Sequence, residues 1–184
     1  MIIRDFMAYI KIIKETSAEG LLKRLYDSLG GTKDDSVANI LRVHSLKPNT
    51  LKAHLSLYRT IMFGESTLSR DEREMIAVVV SNINKCDYWV AHHGAALRSL
   101  TNNLEFEKTL KYKENFEGRI LAMLIYAEKL TTQSYKIKKE DIKNLRKYFT
   151  DEGVFEINQV ASYFNYVNRI ASGLGVELEN EYTN

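Results

Sequence analysis

The stretch Leu68–Leu97, LSRDEREMIAVVVSNINKCDYWVAHHGAAL, decides the fold of this chain. Ser69 and Glu72 have the spacing of a capping box, in which two side chains and two backbone N–H groups satisfy each other at the start of a helix. The apolar run that follows predicts a buried helix. A short polar break near Lys85 then separates it from a second helix over residues 86–100. Two long helices in succession indicate an all-α fold.

The rest of the chain also predicts helices. Pro48 is the single proline, and strand-like alternation is scarce. The segments that begin at Asp71 and Asp151 align without gaps at a shift of 80 residues, which suggests an internal helical duplication. We therefore predict one all-α domain over residues 1–184, with its motif core at about 51–100. Further helices are predicted at 37–44, 48–64, 116–131, 139–149 and 152–172.

Composition limits the classes of partner. The 184 residues carry a net charge of +2, and 27% of them are charged, the balance of an ordinary soluble globular protein. No concentrated basic surface is indicated, so we expect no nucleic-acid partner. No apolar run reaches the ~20 residues of a membrane span, so we expect no membrane partner. One cysteine forms no intramolecular disulfide, which makes a cytoplasmic location the expectation.

Glu74, Cys86 and His93 are the candidate catalytic residues. Cys86 falls at a predicted helix start, where the helix dipole favours a thiolate. His93 follows seven residues later on the same helical face, and Glu74 lies on the preceding helix. A carboxylate near an imidazole and a thiol can keep the imidazole charged and remove the thiol proton. The alternative is that Cys86 is a small buried core residue.

The remaining histidines do not predict a metal site. His44, His54 and His92 lack convincing metal-ligand spacing with each other or with His93. Surface or partly buried positions account for them better. We therefore expect neither a metal nor any other cofactor.

The motif resembles the core of the alkylhydroperoxidase D and carboxymuconolactone decarboxylase superfamily. The peroxidases of that family have a glutamate, eleven residues, a cysteine, two residues, a second cysteine, three residues and a histidine. Glu74, Cys86 and His93 fall on this pattern. The sequences LSRDEREMIA and HGAAL are also similar to the family, and NYVNRIASGLGVEL resembles its longer, peroxidase-related branch. The similarity extends from near Leu51 to Leu178.

This resemblance implies an all-α fold with the motif cysteine in a pocket between helices. It also implies a homo-oligomer, commonly a trimer or hexamer. In the peroxidases the second cysteine attacks the hydroperoxide and the first resolves the sulfenic acid as a disulfide. The glutamate and histidine form a proton relay, and a lipoylated partner protein regenerates the dithiol.

This chain departs from the pattern at the second cysteine. Trp89 occupies that position, and Tyr88 stands where a further relay histidine is common. Cys86 therefore has no second cysteine three residues later with which to form a disulfide. Our first hypothesis is a one-cysteine peroxidase that takes a hydroperoxide substrate and an external thiol reductant. Cys86 would be the nucleophile, His93 its base, and Glu74 the group that orients and charges the histidine.

Two alternatives remain open. A decarboxylase-like acid–base enzyme would use Glu74 and His93 on a carbonyl substrate, with Cys86 as a bystander. A non-catalytic helical assembly protein is the other. The segment from Asn158 to Leu178 superficially resembles a helix-turn-helix, but the proposed recognition region has only Arg169 as a cation, which disfavours DNA binding.

Overall fold

The computed structural model describes residues 7–103, 110 and 115–182. Within these residues all regular structure is helical and no strand is present, which confirms the all-α prediction. None of the described helices has the length and apolar character needed to span a membrane. The α-helices in this part of the chain are α1 (Gly20–Asp27), α2 (Asn39–Arg42), α3 (Pro48–Phe63), α4 (Arg70–Ile83), α5 (Asp87–Thr101), α6 (Gly118–Gln133), α7 (Lys139–Leu145) and α8 (Asp151–Leu174).

The start of α4 and the break between α4 and α5 both follow from local sequence. The Ser69 hydroxyl accepts from the Glu72 N–H, and the Glu72 carboxylate accepts from the Ser69 N–H, so the predicted capping box is confirmed. The break comes at Lys85, whose φ of 54° lies in the left-handed region. Cys86 then occupies the N-cap position of α5, without a capping hydrogen bond from its side chain. The motif cysteine is thereby fixed at a helix N-terminus, as predicted.

The chain divides into two compact units. One comprises residues 60–169 and the other residues 1–59 and 170–184. In the first of these, α4 packs on α5 and on α6. Every residue of α4 from Glu72 to Ser81 is buried, so α4 is a central helix of this unit. The single domain over residues 1–184 stays a prediction.

The unit of residues 1–59 and 170–184 has its own apolar core. Tyr26 is completely buried there. Glu15 is also buried, and its carboxylate accepts hydrogen bonds from the backbone N–H groups of Ser36 and Val37 while it pairs with Arg42. The two hydrogen bonds tie the residues between α1 and α2 to the segment before α1, and the ion pair ties α2 itself to that segment. The core side chains are Ala18, Leu22, Tyr26, Val37, Leu51 and Leu55.

Helix α8 changes one interpretation of the sequence. It is continuous from Asp151 to Leu174, so no turn interrupts residues 158–174 of the segment that resembles a helix-turn-helix. The acidic pairs at 71–72 and 151–152 both lie in the first turn of a helix. The internal duplication stays a prediction.

Candidate active site

Helices α4 and α5 bring Glu74 and His93 together. Glu74 faces inward from the second turn of α4 and is 0% exposed. Because α5 packs on α4, His93 lies beside it, and its Nδ1 is hydrogen-bonded to Oε2 of Glu74. His93 is buried as well, at 3% exposure. Two of the three residues predicted from the motif are therefore in direct contact.

Arg70 extends the pair Glu74–His93 to three hydrogen-bonded side chains. Its Nε donates to Oε1 of Glu74 at 2.8 Å, and its Nη2 donates to the same oxygen. The guanidinium carbon also lies 3.9 Å from the centroid of the Phe63 ring. Each carboxylate oxygen of Glu74 is thus bound by a nitrogen. Sequence reasoning missed Arg70, although its i, i+4 spacing to Glu74 was the available signal.

These contacts determine the charge of Glu74. Burial raises the pKa of its carboxyl group, but hydrogen bonds and positive charge from His93 and Arg70 outweigh burial and hold the pKa below its ordinary value. An ionised carboxylate only accepts hydrogen bonds, so Nδ1 of His93 is the donor. Nε2 is then the imidazole atom that can accept or release a proton.

Aromatic rings enclose the imidazole of His93. Trp89 lies one helical turn before it on α5 and stacks on it, with ring centroids 5.2 Å apart and planes inclined by 25°. Phe164 of α8 approaches edge-on, with centroids 4.6 Å apart and an interplanar angle of 81°. Trp89 and Phe164 also meet edge to face. The ring plane of His93 is therefore fixed by packing as well as by Glu74.

The contact that the structure describes for Cys86 is with α8, not with Glu74 or His93. Its side chain is buried, and its Sγ lies 3.9 Å from the backbone oxygen of Asn168, the geometry of a weak thiol donor. Asn168 is in turn held by bonds from its Nδ2 to the hydroxyl of Ser81 and the carbonyl of Phe164. The thiol therefore contacts α8, while the hydrogen bond of the motif joins Glu74 to His93.

The other singled-out residues take different places. Tyr88 is buried and meets Trp89 edge to face, and its ring lies 4.5 Å from that of His92. His44 and His54 are buried and stack on one another in the unit of residues 1–59 and 170–184, so the prediction of surface or partly buried positions was wrong for these two. Among the described residues, no group of three or more His, Cys, Asp or Glu could hold a metal ion.

Comparison with known proteins identifies the family of this chain. The carboxymuconolactone decarboxylase family matches residues 48–109. A solved structure described as an uncharacterized peroxidase-related protein from Silicibacter sp. TM1040 is 33% identical, with a TM-score of 0.78 over 94% of this chain and 95% of that one. The chain belongs to the alkylhydroperoxidase D and carboxymuconolactone decarboxylase superfamily.

Two less similar solved structures share the fold. A peroxidase-related protein with an alkylhydroperoxidase D core, from Ralstonia eutropha JMP134, is 24% identical with a TM-score of 0.83, covering 96% of this chain and 95% of that one. The debrominase Bmp8 is 16% identical with a TM-score of 0.74, covering 97% of this chain and 95% of its own. Neighbours of this fold thus include a debrominase as well as peroxidase-related proteins. Curated proteins gave no significant match.

Proposed function

We propose that this superfamily member is a one-cysteine thiol peroxidase that reduces hydroperoxides. The observation that carries the proposal is the buried pair Glu74–His93, held by the half-buried Arg70, on the two helices whose junction holds Cys86. Thiol chemistry needs a proton relay of this kind, whereas a core that serves only packing has no need of one. Cys86 is the N-cap residue of α5, and His93 follows seven residues later on that helix.

The proposed chemistry begins at the thiol. His93, held as a base by ionised Glu74, removes the proton of Cys86. The thiolate attacks the terminal oxygen of ROOH, an S–O bond forms, and the O–O bond breaks. The released RO⁻ receives the proton from His93 and leaves as ROH. Cys86 is oxidised to sulfenic acid, and the hydroperoxide is reduced to the alcohol.

Regeneration needs a second reactant. Trp89 occupies the position from which a second thiol would resolve the sulfenic acid. We therefore propose an external thiol as the reductant. One thiol forms a mixed disulfide with Cys86 and releases water, and a second thiol then frees Cys86 as the external disulfide forms.

One observation favours a second candidate function. The thiol of Cys86 is buried and directed at the carbonyl of Asn168, while Glu74 and His93 are bonded to each other without it. An acid–base enzyme acting on a carbonyl substrate would use the pair Glu74–His93 and leave Cys86 as a bystander.

Substitution of Cys86 separates the two functions. The natural protein is mixed with cumene hydroperoxide and dithiothreitol and consumption of the hydroperoxide is followed, and in a separate sample without dithiothreitol the sulfenic acid is trapped with dimedone. We expect consumption and one dimedone adduct, both abolished in Cys86→Ser and strongly reduced in His93→Gln. Consumption that survives in Cys86→Ser, or an absence of adduct in the natural protein, would refute the peroxidase. Turnover of a carbonyl substrate that Cys86→Ser leaves intact would establish the alternative.

We also propose that the protein is a homo-oligomer. Phe155 and Tyr166 are 63% and 47% exposed and lie eleven residues apart on one face of α8. Large apolar side chains exposed along one face are typical of surfaces that another chain covers.

A further inference from the structure

Trp89 carries a polar atom that the described structure leaves unsatisfied. The indole is 95% buried, at 5% exposure, and its Nε1–H has no hydrogen-bond partner among the described residues. Most buried donors in folded proteins are paired, because an unpaired one loses its hydrogen bond to water without replacement. The N–H therefore marks a position where another molecule can supply the acceptor.

A second unsatisfied atom belongs to α8, the helix whose Phe164 packs on Trp89. The side-chain oxygen Oδ1 of Asn168 is buried and has no partner among the described residues. Asn168 contacts Cys86 through its backbone oxygen and bonds Phe164 through Nδ2 at 2.6 Å. Phe164 in turn packs on both Trp89 and His93. The unpaired donor and the unpaired acceptor thus belong to two residues that both contact Phe164, and these residues or Phe164 contact Cys86 and His93.

We propose that Trp89 and Asn168 form the polar subsite for the hydroperoxide group itself. The indole N–H donates to a peroxide oxygen, and Oδ1 of Asn168 accepts the O–H of ROOH. A hydroperoxide has the one donor and the acceptors that these two atoms require. The inference rests on the proposed peroxidase function. It gives Trp89 a role in binding, whereas the motif comparison alone presents Trp89 only as the replacement of a cysteine.

The chain offers a direct probe because Trp89 is its only tryptophan. In ¹⁵N-labelled full-length Cys86→Ser protein, which cannot react, the spectrum contains one indole N–H cross-peak. We expect tert-butyl hydroperoxide to move this peak downfield in a saturable way and to slow its exchange with solvent. A peak that does not move would overturn the proposal, and so would one already protected and shifted by an ordered water.

Two matched comparisons separate the donor from the acceptor. Trp89→Phe keeps an aromatic ring against His93 and removes the N–H. In the Cys86→Ser background it should weaken binding of tert-butyl hydroperoxide by roughly threefold to tenfold, the range expected for one neutral hydrogen bond. Tyr88→Phe, in the neighbouring buried ring, should leave binding unchanged.

The second comparison tests the acceptor. Tert-butyl methyl ether is similar in size to tert-butyl hydroperoxide but has no O–H, and it should bind the Cys86→Ser protein that retains Trp89 several-fold more weakly. Equal affinity of the two probes, or no effect of Trp89→Phe, would refute the subsite.

The outcomes distinguish this inference from the function on which it rests. If Cys86→Ser binds the hydroperoxide at Trp89 but the natural protein does not consume it, the peroxidase is wrong and the subsite stands. If the natural protein consumes hydroperoxide and the indole peak never responds, the peroxidase stands and the subsite is wrong.

Discussion

The carboxylate of Glu74 accepts a hydrogen bond from Nδ1 of His93, nineteen residues later in the chain. Arg70 holds the opposite oxygen of the same carboxylate. Both oxygens of a fully buried acid are therefore occupied, and the orientation of His93 is fixed by a residue on another helix. This arrangement organises an imidazole for proton transfer, whichever group supplies or receives the proton.

Glu74→Gln should abolish the proton relay and destabilise the protein. A glutamine cannot be the anion that Arg70 and a protonated His93 need, so buried positive charge loses its partner. We expect a loss of about 3 kcal/mol in the free energy of unfolding, measured by urea denaturation, together with loss of hydroperoxide consumption. Glu65→Gln removes an exposed carboxylate of the same unit and should change neither quantity. Similar behaviour of the two variants would contradict the role of Glu74.

Arg70→Met should raise the pKa of Glu74. The hydrogen bonds and charge of Arg70 help to lower that pKa, and the methionine keeps only the apolar stem over Phe63. A folded-state pKa below the unfolded value contributes stability that is lost as pH falls through the folded pKa. In Arg70→Met this loss should therefore begin at a higher pH, and so should the acid limb of activity. Arg59→Met, at an exposed arginine, is the control for loss of one positive charge.

Trp89→Cys tests the motif directly. It restores a dithiol across one helical turn, so a lipoyl-type dithiol should now support hydroperoxide reduction clearly above the rate of the natural protein. Replacing a buried tryptophan by a small residue also costs about 3–5 kcal/mol of stability. Trp89→Ser leaves the same space without the second thiol and should show no gain. Equal rates in the cysteine and serine variants would mean that the relay does not serve a dithiol.

His54 should make the protein sensitive to acid. Burial, with a smaller contribution from the neighbouring His44, lowers the pKa of His54 to about 4, and burial lowers that of His44 too. Unfolded histidines titrate near pH ~6.5, so the unfolded state binds more protons as pH falls from there towards 4. The free energy of unfolding should decrease across this window, by on the order of 3 kcal/mol for His54. Urea midpoints at several pH values measure it, and His54→Phe should flatten the dependence. An unchanged slope in that variant would exclude His54 as the cause.

The oligomeric state can be measured by sedimentation at micromolar protein. We expect a single species larger than the 21.2 kDa chain. Phe155→Glu places a charge on the exposed face of α8 and should dissociate the oligomer if that face lies in an interface. Ser172→Glu adds the same charge at an exposed position of the same helix and should not. A natural protein that sediments as a monomer would end the proposal.

Much of the helical framework could be predicted from the chain alone. Ser69 and Glu72 determine the start of α4 through hydrogen bonds over three residues, and the uninterrupted apolar run after Met75 indicates its burial. Such contacts are local, so spacing in the sequence is enough to specify them. For the same reason Cys86 was placed correctly at the start of α5.

The partners of the site residues depend on tertiary packing. Spacing put Glu74, Cys86 and His93 within reach of one another, but it could not show that Glu74 binds His93 while Cys86 turns to Asn168. Asn168 and Phe164 come from α8, far along the chain, and no local pattern specifies which side chain a distant helix presents. Local sequence therefore determined the helices and the position of the motif. The packing of α8 against them decided the surroundings of the thiol and the imidazole, because those contacts join residues that only the folded chain brings together.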